Sequence, residues 1–300
     1  MANPILEFTD DPSSPMPLVE LKQHLVFYVP DPPGPVTARR VYDAYLRAVG
    51  DVFRNYRSTV SWARLEAWDA AARIRFETVL LPELRKTVHW GYGFSDAKPV
   101  DSRVFMFHGF RPFTEPEMAS FFRFEFDWQV DAAFLRSLAL DMMSMFPVCS
   151  GYGGYLLQGR PSSKYEEVSF ERIYALARRY WGCDVEEIEL SARELKRGYK
   201  CLSWLTVIGE PFRTQFQKEL AQAKLAAFDF VDGPFATLLQ VSDSPTLGDR
   251  NVQADLKPYF DVARALLPMQ IKSHEPFWST RWEDGQTMAW LQRFTHGWPT

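Results

Sequence analysis

The sequence predicts an α+β fold, in which antiparallel or mixed sheets carry helices packed on one face. In residues 122–128, four aromatic residues alternate with three charged ones, a period of two that indicates a strand with one buried face. In residues 131–146, Phe134, Leu138 and Met142 recur at intervals of four, which is typical of an amphipathic helix. The chain has 300 residues, 46% of them hydrophobic, so it can bury a large core between such elements.

In the N-terminal half, residues 1–20 contain four prolines and are expected to be irregular. The elements expected after them are a strand over 24–29, a helix from about Thr37, a short strand over 104–107, the strand over 122–128, and a helix that begins near Asp131 and ends before Pro147. Residues 62–89 fit either a helix or a strand. The glycines of residues 151–158 are interpreted as a tight turn that leads into a strand.

In the C-terminal half, helices and strands continue to alternate. The expected elements are helices over about 170–181, 211–226 and 255–267, a strand over 201–208, extended segments over 230–231 and 235–241, and a tryptophan-rich wrap over 268–300. Residues 151–158 and 233–240 both read G-x-x-x-x-L-L-Q, each after a tryptophan-containing strand and a helix. This repeat favours one domain over 21–300, with two related β-α-β halves, 21–160 and 165–300, as one possible arrangement.

Charge and composition exclude several classes of function. The net charge is −4, and no run of lysine or arginine exceeds two residues, which disfavours direct binding of nucleic acid. The sequence contains neither a signal peptide nor an apolar run of 18 residues, so we expect a cytoplasmic protein that does not contact a membrane. The three cysteines are too widely spaced for a disulfide framework or a CxxC metal site.

No catalytic, cofactor or metal site is predicted. The five histidines form no HExxH or i, i+4 pair, and neither G-x-S-x-G nor a phosphate-loop motif occurs. Glu125 and Asp127 lie on one face of a predicted strand, but the lysine that a one-metal nuclease would carry two residues further on is replaced by Gln129. We therefore expect a binding protein rather than an enzyme. A hydrolase whose site assembles from distant residues is the less favoured alternative.

Two groups of residues are candidates for contact with a partner protein. An acidic stretch is either a solvated surface or an anionic patch that docks into the cationic groove of a nuclease. Exposed tryptophans in the C-terminal segment are candidate hot spots, with core packing as the alternative. The candidate residues are Asp184, Glu186, Glu187, Glu189, Trp278 and Trp282.

Residues 180–186 and 198–209 resemble a family of type VI secretion immunity proteins that was once a domain of unknown function and was later tied to nuclease toxins. Members of the family tend to show a turn of the form Tyr-Pro-Gly-hydrophobic-Asp. A strand of the form Gly-x-x-x-x-x-Trp-Leu-Thr, which ends in glycine, follows that turn. This chain keeps Gly198, Gly209 and the Trp-Leu-Thr of residues 204–206, and has Trp181 where proline is expected. The likeness covers residues 20–280 and is strongest over 120–210.

The resemblance implies that the chain binds and neutralises a cognate secreted toxin, expected to be a restriction-endonuclease-like DNase, by occluding the toxin's active site or substrate groove. It implies no catalytic residue, cofactor or metal. An adaptor or chaperone that loads the toxin for export is the alternative. In that case the toxin would stay active, and loss of the protein would reduce secretion rather than kill the producing cell.

Overall fold

The computed structural model describes residues 3–8, 16–58, 65–82, 89–96, 103–110, 117–160 and 164–298. Within them, the α+β class is confirmed. The strands are β1 (Leu6–Phe8), β2 (Pro17–Val29), β3 (Asn55–Ser58), β4 (Glu66–Ala67), β5 (His89–Ser95), β6 (Val104–Phe110), β7 (Ser120–Asp127), β8 (Ser150–Gly159), β9 (Asp184–Val185), β10 (Leu205–Gly209), β11 (Asp229–Asp232) and β12 (Ala236–Gln240).

All of these strands belong to one sheet. Its main path runs β11-β12-β10-β8-β2-β7-β6-β5-β3-β4, and every neighbouring pair on that path is antiparallel. Off the path, β1 pairs with β2 in antiparallel fashion, and β9 pairs with β8 in parallel fashion. The sheet is therefore mixed, with β2 and its two neighbours on the main path, β7 and β8, at the centre.

Ten α-helices accompany these strands in the described part of the chain. They are α1 (Pro35–Val49), α2 (Ala70–Arg75), α3 (Ala132–Met143), α4 (Glu166–Arg179), α5 (Ile188–Ala192), α6 (Phe212–Gln215), α7 (Gln217–Ala226), α8 (Lys257–Leu266), α9 (Gln286–Leu291) and α10 (Arg293–His296). Among the described residues, none of the helices is long and apolar enough to cross a lipid bilayer.

Helices pack on both faces of the sheet, not on one face as expected. Phe122, Phe124 and Phe126 of β7 join a core that includes α1 and α3. Phe121 of the same strand joins a second core on the opposite face, to which α4, α7 and α8 contribute. The alternation of residues in β7 predicts which face of the sheet each side chain lies on. It does not predict that helices also cover part of the face expected to be in contact with solvent.

The N-terminal segment is more regular than expected. Leu6–Phe8 forms β1, and β2 begins at Pro17 rather than at His24. A proline is tolerated at the first residue of a strand because no ladder hydrogen bond from its nitrogen is needed there. The prolines at positions 12 and 15 lie outside the described residues.

Several element boundaries follow local chemistry. Asp131 caps α3, since its carboxylate accepts a hydrogen bond from the backbone of Phe134 at 2.9 Å. The helix expected over 211–226 is divided at Phe216, whose φ of −118° and ψ of 43° are not helical. The strand expected from Cys201 begins only at Leu205.

The two G-x-x-x-x-L-L-Q segments enter the sheet differently. Residues 151–158 lie within β8, which is separated from β7 by β2, so β7 and β8 run parallel across an intervening strand. Residues 236–240 form β12, which pairs directly and antiparallel with β10. The glycines of residues 151–154 therefore belong to a central strand and not to a turn.

Candidate partner-binding site

Two of the acidic residues expected at the surface, Asp184 and Glu186, are buried. Asp184 is 2% exposed and Glu186 is 8% exposed. The ammonium group of Lys200 lies 3.2 Å from Asp184 Oδ2 and 2.7 Å from Glu186 Oε2, and it also donates to the carbonyl of Val185 at 2.9 Å. An ion pair at full burial needs such extra hydrogen bonds to offset the loss of hydration.

Aromatic and imidazole groups complete this buried ion cluster. The hydroxyls of Tyr28 and Tyr152 both donate to the carboxylate of Glu186, the first at 3.2 Å. His24 Nε2 lies 3.5 Å from Asp184 Oδ2. The cluster consists of His24, Tyr28, Tyr152, Asp184, Glu186 and Lys200. Since these residues come from β2, β8, β9 and nearby segments, their contacts stabilise the centre of the sheet.

The electrostatics of the cluster agree with a structural role. Burial raises the pKa of Asp184 against the opposing effect of Lys200. Burial would also raise the pKa of Glu186, but Lys200 and the hydrogen bond from Tyr152 lower it overall. The principal ion pair is therefore Lys200 with Glu186. The expectation that Asp184 and Glu186 form an anionic docking patch is wrong, because neither carboxylate reaches the surface.

The other two acidic candidates lie nearer to solvent. Glu187 is half-buried, and burial together with the neighbouring Glu186 raises its pKa to about 7. Glu189 is exposed, with its carboxylate 4.0 Å from His108 Nδ1. Only these two members of the stretch could contact a partner.

The two candidate tryptophans have opposite environments. Trp282 is fully buried, and its indole nitrogen donates to the carbonyl of Phe170 at 2.9 Å. Its ring packs against Phe277 and Trp290 at centroid distances of 5.0 and 5.9 Å. Trp282 is therefore a core residue and not a contact residue. Trp278 is 46% exposed.

Trp278 lies in an open surface groove together with three glutamates. Glu166 and Glu167 occupy the first turn of α4, and Glu283 follows the short 3₁₀ turn over Thr280–Trp282. We call these four residues the Trp278 groove. Glu166 and Glu167 were not recognised from the sequence, because more than 100 positions separate them from Trp278 and no local pattern connects them. Glu283, five residues after Trp278, was not singled out either.

The Trp278 groove offers binding rather than chemistry. It presents an exposed indole ring flanked by carboxylates, and no histidine, cysteine or basic side chain lines it in the part of the chain that the structure describes. Within the same part of the chain, no three histidine, cysteine, aspartate or glutamate residues are grouped so that they could hold a metal ion.

Comparisons with known proteins give one match of sequence to a family and one match of fold to a solved structure. The sequence matches a family model described as TsiV, type VI immunity for VRR-NUC, over residues 40–294. The fold is similar to a solved structure described as Pseudomonas aeruginosa T6SS protein PA0821, with a TM-score of 0.77 and 18% sequence identity, covering 93% of this chain and 85% of that one. No curated protein matches the sequence.

Proposed function

Because this chain belongs to the TsiV family, type VI immunity for VRR-NUC, we propose that it binds a VRR-NUC nuclease toxin and neutralises it by covering the toxin's active site or substrate groove. The protein acts as a stoichiometric inhibitor and not as an enzyme, and it needs no cofactor. We place it in the cytoplasm, where a nuclease would meet the DNA of the cell that this protein protects.

The Trp278 groove is the observation that carries this proposal. A nuclease holds its substrate through the phosphates, so its groove is cationic. Glu166, Glu167 and Glu283 present the complementary charge, which accelerates association with a cationic surface. Trp278 supplies the kind of large, partly exposed aromatic side chain that dominates the energy of many interfaces.

Trp278→Ala tests the groove. Interface hot spots contribute about 2 kcal/mol or more, so we expect the dissociation constant for a catalytically inactive toxin to rise about thirtyfold. Calorimetry with the purified proteins measures this, and co-expression with the active toxin tests protection. Phe228→Ala is the matched control, because Phe228 is also an exposed aromatic residue, at 60% exposure, but lies outside the groove.

The charge of the groove is tested with Glu167→Gln and Glu283→Gln together. This double variant should slow association at low salt and weaken its dependence on ionic strength. The proposal of occlusion fails if the wild-type protein protects cells without forming a complex with the toxin. A complex in which the toxin still cleaves DNA would instead indicate an adaptor that loads the toxin for export.

A further inference from the structure

A second recess lies on a face of the sheet, and none of the residues that line it in the described part of the chain belongs to a helix. It is built on the strands β8, β2, β7, β6, β5 and β3, and its volume is about 170 Å³. We call it the sheet-face cleft. The residues that matter to its chemistry are Glu20, Lys22, Arg57, Ser95, Arg123 and Glu125.

Strand alternation makes this face polar. On β7, Arg123 and Glu125 point into the cleft, while the neighbouring Phe122 and Phe124 point into the aromatic core on the opposite side. On β6, Met106 stands opposite Arg123 and adds an apolar wall. Charged residues are therefore held on a rigid sheet that is anchored by the core behind it.

Among the described residues that line the cleft, there is one more cation than there are anions. Three cations, Lys22, Arg57 and Arg123, line it against two carboxylates. The ammonium group of Lys22 lies 3.4 Å from Glu20 Oε1 and 3.8 Å from Glu125 Oε2. Arg123 pairs with Glu125. Both carboxylates are thus neutralised inside the cleft, and the charge that is left over is positive.

Two buried hydrogen-bonding groups of the cleft have no partner among the described residues, the Nε–H of Arg123 and the hydroxyl of Ser95. Both can donate a hydrogen bond, and a buried donor without an acceptor is unfavourable, more so when it is charged. The guanidinium of Arg57 lies at the exposed side of the cleft and makes no ion pair with another described residue. The cleft therefore offers two buried donors and one exposed cation to an acceptor.

We propose that the sheet-face cleft binds one carboxylate side chain, an aspartate or a glutamate, of the toxin. The inference rests on the proposed function, since the toxin supplies the side chain. A guanidinium fork and a carboxylate are complementary in shape and charge. A carboxylate carries the single negative charge that balances the one excess positive charge of the described lining, whereas a doubly charged phosphate would exceed it.

The size of the cleft fits such a side chain. An engineered protein cavity of about 150 Å³ accommodates benzene, so a cleft of about 170 Å³ has room for a short acidic side chain. Gly93 keeps part of this space open, because a Cβ atom added there would meet only the terminal methyl of Met106, at 3.9 Å.

The experiment measures toxin binding by variants of the cleft. Arg57→Met and Ser95→Ala remove donors, and Gly93→Leu fills the cleft. Since hydrogen bonds to charged groups contribute about 1.5 to 3 kcal/mol, Arg57→Met should raise the dissociation constant for inactive toxin about 10- to 100-fold. Arg47→Met is the matched control, because Arg47 is an exposed arginine on α1, which packs on the opposite sheet face. Thermal unfolding verifies that each variant is folded.

A scan of the toxin identifies the carboxylate. Replacing each surface aspartate or glutamate of the toxin by its amide should reveal one position that weakens binding to the wild-type protein but not to Arg57→Met. Titration of the free protein with acetate and with inorganic phosphate, followed by NMR, tests for a small anion. Saturation by either anion, with toxin affinity unchanged in Arg57→Met, would assign the cleft to a small ligand and overturn the proposal.

The outcomes separate the two proposals. If the three cleft variants bind and neutralise the toxin as the wild-type protein does, the cleft holds only solvent, and the proposed function stands without it. If the wild-type protein itself neither binds the toxin nor protects against it, both proposals fail together.

Discussion

At the scale of single residues, the stability of the buried ion cluster depends on each charged group keeping its partner. Lys200 and Glu186 are both fully buried and lie 2.7 Å apart. Losing one partner of such a pair leaves an uncompensated charge, which costs about 3 to 5 kcal/mol. His24, in the same cluster, is completely buried, and neither ring nitrogen has a hydrogen-bond partner among the described residues.

His24 should make the protein sensitive to acid. Burial lowers the pKa of His24 from 6.5 to about 3. As the pH falls from about 6.5 to 3, the unfolded chain binds a proton at His24 that the folded chain excludes. Above about pH 6.5, His24 is neutral in both states and has no effect on how the free energy of unfolding depends on pH. Between pH 6.5 and 3, it lowers the free energy of unfolding by about 1.4 kcal/mol for each pH unit.

The variant His24→Gln should remove this loss. Urea unfolding at several pH values between 3 and 7 measures it as a shallower dependence of the unfolding free energy on pH, by about one proton. Asp184 and Glu186 titrate in both proteins, so the difference between the two slopes isolates His24. His296→Gln, at an exposed histidine, is the control. Equal slopes for wild type and His24→Gln would show that the buried imidazole does not titrate as expected.

At the scale of secondary structure, β8 depends on its glycines for close contact with β2. A Cβ atom on Gly151 would lie 2.6 Å from the carbonyl oxygen of Val26, and one on Gly153 would lie 2.9 Å from the carbonyl oxygen of His24. Both distances are too short for a real contact. The glycine-rich composition, which suggested a turn, is instead a requirement of strand packing.

Gly153→Ala should therefore destabilise the protein by about 1 to 3 kcal/mol, the usual range for inserting a carbon atom into a tightly packed region. Chemical denaturation measures the change. Gly93→Ala is the matched control, because Gly93 also lies in a strand but has free space beside it, and we expect a change below about 1 kcal/mol. Similar effects for both variants would mean that the clash at Gly153 is relieved by a shift of β2.

Elements with a strong local pattern were predicted well. The alternation in residues 122–128 corresponds to β7, and the apolar spacing and the cap at Asp131 correspond to α3. Prediction was poorer at the N-terminal part of β2, where Pro17 and charged residues hide a strand that is stabilised by pairing with β7 and β8. Such pairing joins residues that are distant in sequence, so a local sequence pattern cannot predict it.

At the scale of the whole molecule, one sheet connects two cores. Phe124 lies in the core with α1 and α3, and Trp282 lies in the core with α4 and α8. Because β2 and β7 contribute to both cores, loss of either core should weaken these shared strands. We expect the described domain to unfold as a single cooperative unit.

Trp282→Ala tests this coupling. Truncating a fully buried tryptophan costs about 3 to 5 kcal/mol, so the midpoint of unfolding should fall strongly. Far-UV circular dichroism and near-UV signals, which arise from aromatic residues on both faces, should shift together. Trp278→Ala, four residues earlier in the chain and exposed, should leave the unfolding midpoint nearly unchanged. Separate transitions for the two signals would show that the two cores unfold independently.

The sequence by itself determined the α+β class, the strongest strand and helix, and the family likeness, because these depend on residue spacing within short segments. Only the tertiary structure decided that Asp184, Glu186 and Trp282 are internal while Trp278 and its three glutamates share a surface groove. Whether a charged or aromatic side chain is buried depends on partners such as Lys200 and Phe170, and these are brought near by the chain's path through the sheet and not by their place in the sequence.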